Sequence, residues 1–308
     1  MRVARDALSG EDAWGTSART GAPVLRHALA DHLGVPAAEL AVTSGIRGQV
    51  ASLLAGATAL VVERPTFLSV PRLAAQYGVP VVALDWEDIL DGRGVPEGAT
   101  VWVTSPARNP DGRTLTRAEA DRLDELAGAG RRVVVNQAYH WCVPDAPRPR
   151  AAILVGSLHK LAGGGTALGW QVTPGGAGPD RPAAGGPPTA WQHAWASFIG
   201  AGGLELLAEA ALEAPARRCR RFASAVRLPS GVELRYGDGP SLSLLLPDGT
   251  SEEAAVEALG GQGLAVGAGA AFGWDRAAVR LSFTGVSESQ VAGCVEGAEK
   301  ALAVRSPA

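Results

Sequence analysis

The sequence predicts an α/β protein: a mainly parallel seven-stranded sheet sandwiched by helices, followed by a small C-terminal α+β domain. Three observations carry this. Short apolar runs recur at 40–44, 59–63, 79–84, 100–105, 132–136, 152–157 and 169–173, and runs that are apolar throughout suit strands buried on both faces. Helically spaced stretches lie between several of them, such as GQVASLLAG, VPRLAAQYG and TRAEADRLDELAGAG, and strands alternating with helices argue for a parallel sheet covered on both sides. Beyond residue 226 the texture becomes β-rich and then α, as expected of a separate small unit.

In order along the chain, LRHALADHL (25–33) has helical spacing and stops at Gly34 and Pro36. The alternation of strand and helix then runs to Pro174, where PGGAGPDRPAAGGPP reads as a loop. A long helical region follows over roughly 190–226, expected to break or kink near Pro215. It carries Arg217, Arg218, Arg220 and Arg221, which read as a solvated helix face. The C-terminal strands are expected in GVELRYG, SLSLLL, GLAVGAG and AVRLSF, with helices at 251–259 and from Glu288. The division predicted is 1–225 for a large domain and 226–308 for a small one.

Composition narrows the function. At 46% hydrophobic and 19% charged residues the chain is an ordinary globular one. A net charge of -3 offers no electrostatic reason to bind nucleic acid or an anionic membrane. No apolar run is long enough to cross a bilayer, and the opening MRVARDALSGEDAWG has no signal-like apolar core. Cys142, Cys219 and Cys294 are dispersed and odd in number, which fits a reducing cytoplasm and neither a disulfide framework nor a metal cluster. Of the 28 basic residues only Lys160 and Lys300 are lysines. Lys300 sits in the ordinary helical stretch EGAEKALAV, whereas Lys160 follows a strand in ILVGSLHKLAGGG.

Five segments carry chemistry. In VTSGIRGQV (42–50) a strand passes through Ser44 and Gly45 into a helix, whose free N–H groups and dipole suit a phosphate; Arg47 adds charge in the first turn. In ARNPDG (107–112) the residues make a good turn, and Asn109 presents an amide at the carboxyl edge of the sheet, where open α/β folds place ligands. VVVNQAYHW (133–141) ends a buried strand with Asn136 and, three residues on, Tyr139. GSLHK (156–160) brings Ser157 and Lys160 to another strand end, where a partly desolvated amine can form an imine with an aldehyde. AVRLSF (278–283) sets Arg280 within an apolar strand, a position that usually has a carboxylate or phosphate partner.

Taken in this order, the segments resemble the fold type I pyridoxal-phosphate enzymes, specifically the class I/II aminotransferases, over residues 14–305. The resemblance implies that Gly45, Ile46, Arg47 and Ser157 hold the phosphate of pyridoxal 5'-phosphate and that Phe67, in RPTF, stacks on its ring; read alone, Phe67 is equally a core aromatic. It implies that Asn109 and Tyr139 bind the ring hydroxyl and Asn136 faces the ring nitrogen. Lys160 would hold the cofactor covalently and move protons at the substrate α-carbon with Tyr139 beside it, while Arg280 grips the substrate carboxylate. A homodimer is also implied.

This chain departs from the family at three places. The aspartate that pairs with the protonated ring nitrogen is Asn136, and the acid that often follows is Gln137. The phosphate-binding arginine beyond the lysine falls at Ala167, and the tyrosine that reaches the partner subunit's phosphate falls at Trp14. Losing a buried charged contact costs on the order of 2–5 kcal/mol, and Arg47 is the cation placed to offset it. His159 reads more readily as packing than as a proton shuttle, His140 and Trp141 carry the same weighing as pocket residues, and Trp14, Trp141 and Trp274 permit a bulky pocket. The expectation is an aminotransferase-like enzyme of specialised biosynthesis; the alternatives are a racemase, an eliminase or a related cofactor enzyme, or a non-catalytic homologue acting as a partner.

Overall fold

The structure, a computed structural model, describes residues 8–16, 18–176 and 186–303. Part of the Gly/Pro-rich loop after Pro174 therefore lies outside the described residues. All seven expected apolar runs form strands of one sheet: β1 (Leu40–Thr43), β2 (Leu60–Arg64), β3 (Val81–Asp85), β4 (Thr100–Thr104), β5 (Arg132–Asn136), β6 (Ile153–Ser157) and β7 (Gly169–Val172). Their spatial order is β1-β7-β6-β5-β4-β2-β3. Only β7 runs against its neighbours, so the other six strands present their carboxyl ends at one edge.

Except at the edge strand β3, which is exposed or half-buried along its length, the runs are apolar throughout because both faces of the sheet are covered. Val101, Val103, Val133, Val135 and Leu154 join the core shared with helix Pro23–Leu33. The alternate residues Trp102, Val134 and Val155 face helices Ile46–Leu53 and Ser69–Gln76 on the other side. Each such fully buried Val or Leu contributes about 1.5–3 kcal/mol relative to exposure. Helix Pro23–Leu33 ends as expected at Gly34, whose φ of 61° is left-handed. Helix Arg117–Gly128 starts on a capping box, in which Thr116 Oγ1 accepts the Glu119 N–H and the Glu119 carboxylate accepts the Thr116 N–H.

The long C-terminal helical region breaks elsewhere than expected. The chain turns by 87° between Thr189–Gly200 and the helical run from Gly203, at Gly202 with φ 74°. Pro215 is carried inside the helical run instead, directly after a π-helical stretch, Glu209–Glu213. The wider i→i+5 turn tolerates the missing N–H of proline, while a left-handed glycine ends a helix outright. Arg217 pairs with Glu209, and Arg218 and Arg221 with Glu288, so those three cations of the basic patch sit in ion pairs.

The second sheet has β8 (Glu233–Arg235), β9 (Ser241–Leu245), β10 (Val266–Ala268) and β11 (Ala278–Ser282), antiparallel in the order β10-β11-β9-β8. Helices Glu252–Gly261 and Val291–Ala303 cover one face. The core beneath them also takes in Cys219 and Phe222, from the helix that precedes residue 226. This unit is seated against the carboxyl edge of the large sheet. The Asp238 N–H donates to the Gly112 carbonyl at 2.9 Å, and the Thr66 N–H to that of Phe272 at 2.8 Å. At the first contact Gly112 and Gly237 touch backbone to backbone, with room for no Cβ at Gly112.

Candidate active site

At the carboxyl edge of the sheet lies a cavity of about 350 Å³. Its wall is assembled from the ends of β1, β4, β5 and β6 and the loop after β2, the place that sheets of this topology reserve for ligands. All nine residues expected around a cofactor line it: Gly45, Ile46, Arg47, Phe67, Asn109, Asn136, Tyr139, Ser157 and Lys160.

One end of the cavity is built for an anion. Helix Ile46–Leu53 begins at Gly45, which adopts φ 103° and supplies no side-chain cap, so the first-turn N–H groups carry no side-chain acceptor. Ser157, at the end of β6, lies opposite Gly45, and a Cβ placed on Gly45 would be 3.8 Å from Ser157 Cβ. The turn is backed by Gln49, whose Nε2 donates to Thr43 Oγ1 at 2.8 Å and to the Gly45 carbonyl at 3.2 Å. Gly169 of β7 packs beneath: a Cβ there would fall 2.3 Å from the Gly156 carbonyl oxygen and 2.8 Å from Gly45 Cα. No larger residue fits while this turn keeps its place.

Lys160 sits in the short helix His159–Ala162 after β6 and is half-buried. Its Nζ lies 5.2 Å from the centre of the Tyr139 ring and 5.9 Å from that of Phe67. The amine is therefore held between two aromatic faces above the sheet edge. Phe67 is 45% exposed, so it stands at the cavity wall rather than in the core. Asn109 is buried, and its Oδ1 has no hydrogen-bond partner.

The structure adds Ser44, Ser69, Thr104 and His159 to the wall. His159 is exposed and lines the cavity, where packing was the expected role. Burial, then the charges of Lys160 and Arg47, lower its pKa. Ala167 also lines the cavity and is one of two non-glycine residues in the left-handed region among the described residues, at φ 44°. Behind the wall, buried Glu63 accepts from the Thr104 N–H at 3.1 Å and from the Thr66 hydroxyl at 3.3 Å, beside the buried Arg108–Asp111 pair. Burial raises the Glu63 pKa against the opposing charge of Arg108. A glutamate ending the apolar strand ALVVE was the signal that sequence reading passed over.

The expected substrate residues are arranged differently. Arg280, on β11, is outside the cavity wall; its guanidinium lies 5.7 Å from the centre of the Phe272 ring, and that ring lies 6.2 Å from Phe67. The carboxylate or phosphate partner expected for it is not found among the described residues, and its Nε is buried without a hydrogen bond. Burial pushes the Arg280 guanidinium below its ordinary value, opposed by Tyr139 and Cys219. Trp14 does not line the cavity either: it is 72% exposed and its indole N–H donates to the Leu8 carbonyl at 2.9 Å.

The other tryptophans and His140 correct the expectation of a bulky pocket. Trp141 is buried, packs edge-on against Trp170, and donates its indole N–H to His32 Nε2 at 2.7 Å. His140 is buried against Trp141. Trp274 is half-buried away from the cavity wall. Trp170 in turn fills the space left by Gly156, where a Cβ would fall 2.0 Å from its ring. No cluster of three or more His, Cys, Asp or Glu side chains able to hold a metal occurs among the described residues.

Solved structures share this architecture from end to end. The multiple substrate aminotransferase from Thermococcus profundus superposes with a TM-score of 0.80 at 20% identity, covering 98% of this chain and 86% of that one. The fold is that of the aminotransferases. The α-aminoadipate aminotransferase LysN from Thermus thermophilus, complexed with N-(5'-phosphopyridoxyl)-L-leucine, gives 0.77 at 18% identity over 98% of this chain and 88% of its own. Aspartate aminotransferase from Thermus thermophilus, with maleate, gives 0.75 at 22% over 98% and 87%. No protein-family profile matches the chain, and no curated protein matches it in sequence.

Proposed function

We propose that the chain binds pyridoxal 5'-phosphate through Lys160 and acts, as an aminotransferase-type enzyme, on the α-amino group or α-carbon of an amino acid. The observation that carries this is the Lys160 amine between Phe67 and Tyr139, in one cavity with the uncapped helix start at Gly45 and with Ser157. The residues present fit the group: a phosphate suits the turn, a flat ring suits Phe67, and the ring hydroxyl, as donor, suits the buried Asn109 Oδ1, which has no partner. When bound, the cofactor supplies a place for electrons released at the substrate α-carbon.

The chain's own side chains do the rest. Lys160 holds the cofactor and then, as a free amine, moves a proton at the α-carbon. Tyr139 and Asn109 orient the ring through its hydroxyl. Arg280, buried in part and lacking a carboxylate partner among the described residues, is the cation reserved for a substrate carboxylate. Arg47 stands where it can offset the arginine replaced by Ala167. A homodimer, a cytoplasmic location and a role in specialised biosynthesis complete the reading. The replacements at Asn136 and Ala167 favour, as a second reading, a non-transaminating reaction on the same cofactor, such as racemisation or elimination.

The test is a spectrum and an intact mass of the purified protein with added cofactor. A visible band, fixed by borohydride as a mass increase on Lys160, is expected. A protein that binds nothing, or whose band survives Lys160→Ala, refutes the reading. An amino acid and a keto acid then separate the two chemistries by whether the amino group is transferred.

A further inference from the structure

We infer that the Asn136 amide donates a hydrogen bond to the cofactor's ring nitrogen and keeps that nitrogen unprotonated, an inference that rests on the cofactor reading above. Asn136 ends β5, and its Oδ1 accepts the N–H of Ala138 at 3.0 Å. A backbone N–H can face only the oxygen of an amide, so this contact sets the side chain's orientation. The Nδ2 group is left over. It donates to no protein group among the described residues, and Asn136 lines the cavity, half-buried. What Asn136 offers a ligand is thus a donor, not an acceptor.

The topology says which ligand atom meets it. In pyridoxal phosphate the nitrogen is para to the aldehyde carbon and stands midway between the edge bearing the phosphate arm and the edge bearing the hydroxyl. The strand ends repeat that sequence: Ser157 ends β6, Asn136 ends β5, and β4 leads to Asn109, with the three strands adjacent in the sheet. A ring tethered to Lys160, with its phosphate at Ser157 and its hydroxyl at Asn109, turns its nitrogen to the end of the middle strand.

No carboxylate competes there. The cavity wall contains neither Asp nor Glu among the described residues, and its charged or ionisable side chains are Arg47, His159, Lys160 and Tyr139. Of the buried carboxyls behind the wall, Glu63 accepts from Thr104 and Thr66, and Asp111 pairs with Arg108. A pyridinium would meet an amide donor, which opposes the added charge, and no carboxylate in the cavity wall to offset it; a neutral pyridine has its lone pair satisfied. A ring held neutral withdraws electrons weakly, so this site suits reactions that leave little charge on the nitrogen.

The experiment loads the protein with cofactor labelled with nitrogen-15 in the ring and reads its resonance by NMR, alongside the mass of the borohydride-treated adduct. The expected result is attachment to Lys160 with the resonance at the neutral-pyridine position, shifting to the pyridinium position in Asn136→Asp, which retains an acceptor for Ala138 but faces the ring with a carboxylate. Attachment to Lys160 with a pyridinium resonance in the unaltered protein overturns this inference and leaves the cofactor reading intact. Absence of the adduct overturns both. The unaltered protein decides the matter even if the variant does not fold.

Discussion

The two sides of the site are built differently. The proposed cofactor side is built at the edge of a single sheet, and the nine expected residues line the cavity there without help from the small unit. The proposed substrate side depends on β11 of the second sheet, where the Arg280 guanidinium lies 5.7 Å from the Phe272 ring, itself 6.2 Å from Phe67, and where Tyr139 of the cavity wall opposes the effect of burial on it. Strands bonded in register hold their ends rigidly. Two units that meet at a few backbone contacts, as at Gly112 and Gly237, hold their side chains less tightly to a common frame. On the proposed function, the difference places the chemistry of this chain in one layer and its choice of substrate in another.

Substitutions on each side sharpen the contrast. The largest effect is expected from Lys160→Ala, which should abolish the visible band and all turnover while leaving the fold's circular dichroism unchanged. Arg280→Met should instead leave the band intact and weaken amino-acid binding by on the order of 2–5 kcal/mol, at least roughly thirtyfold in affinity, read by titrating the band with substrate. If Arg280→Met loses the cofactor as well, the division into two sides is wrong.

The cofactor side should also carry the chain's sensitivity to acid. Burial, then the charges of Arg148 and His32, hold the His140 pKa down to about 4, against 6.5 for the unfolded residue. A histidine with a depressed folded pKa stays neutral in the fold and takes up its proton more readily on unfolding. Its contribution is therefore full above pH 6.5 and is lost as pH falls towards 4. Between about pH 7 and pH 5 this removes about 2 kcal/mol, and His140→Phe should flatten that part of the denaturation profile. An unchanged slope would remove His140 from the account.

Two smaller effects test the glycine-rich backing. Gly169→Ala must move either the Gly156 carbonyl or Gly45, and should cost about 1–3 kcal/mol of stability together with weaker binding of inorganic phosphate, measured by thermal shift. Ala167→Gly relieves a left-handed alanine at φ 44° and should raise stability by about 0.5 kcal/mol, with no change in the band.

Much of this was legible in one dimension. Every strand of the large sheet was visible as an apolar run, because burial on both faces leaves no polar alternation; only the edge strand β3 is apolar without being buried. Lys160, Ser157, Asn136 and Asn109 stood out because each follows such a run, and strand ends are where a chain must leave the core. Trp141 misled as a pocket residue, since a tryptophan in sequence carries the same hydrophobic signal whether it fills a core or lines a cavity. Glu63 escaped notice for the opposite reason: its partners, Thr104 and Thr66, and the nearby Arg108 are brought to it only by folding.

The sequence by itself determined the layered fold, the order of the motifs along it and the replacement of an acid by Asn136, because these depend on residue type and periodicity. Only the tertiary structure decided which way the Asn136 amide points, that Arg280 has no carboxylate partner among the described residues, and that the helical region turns at Gly202 rather than at Pro215. Those facts depend on which groups lie within hydrogen-bond or packing distance, and such distances arise only when strands remote in sequence are brought edge to edge.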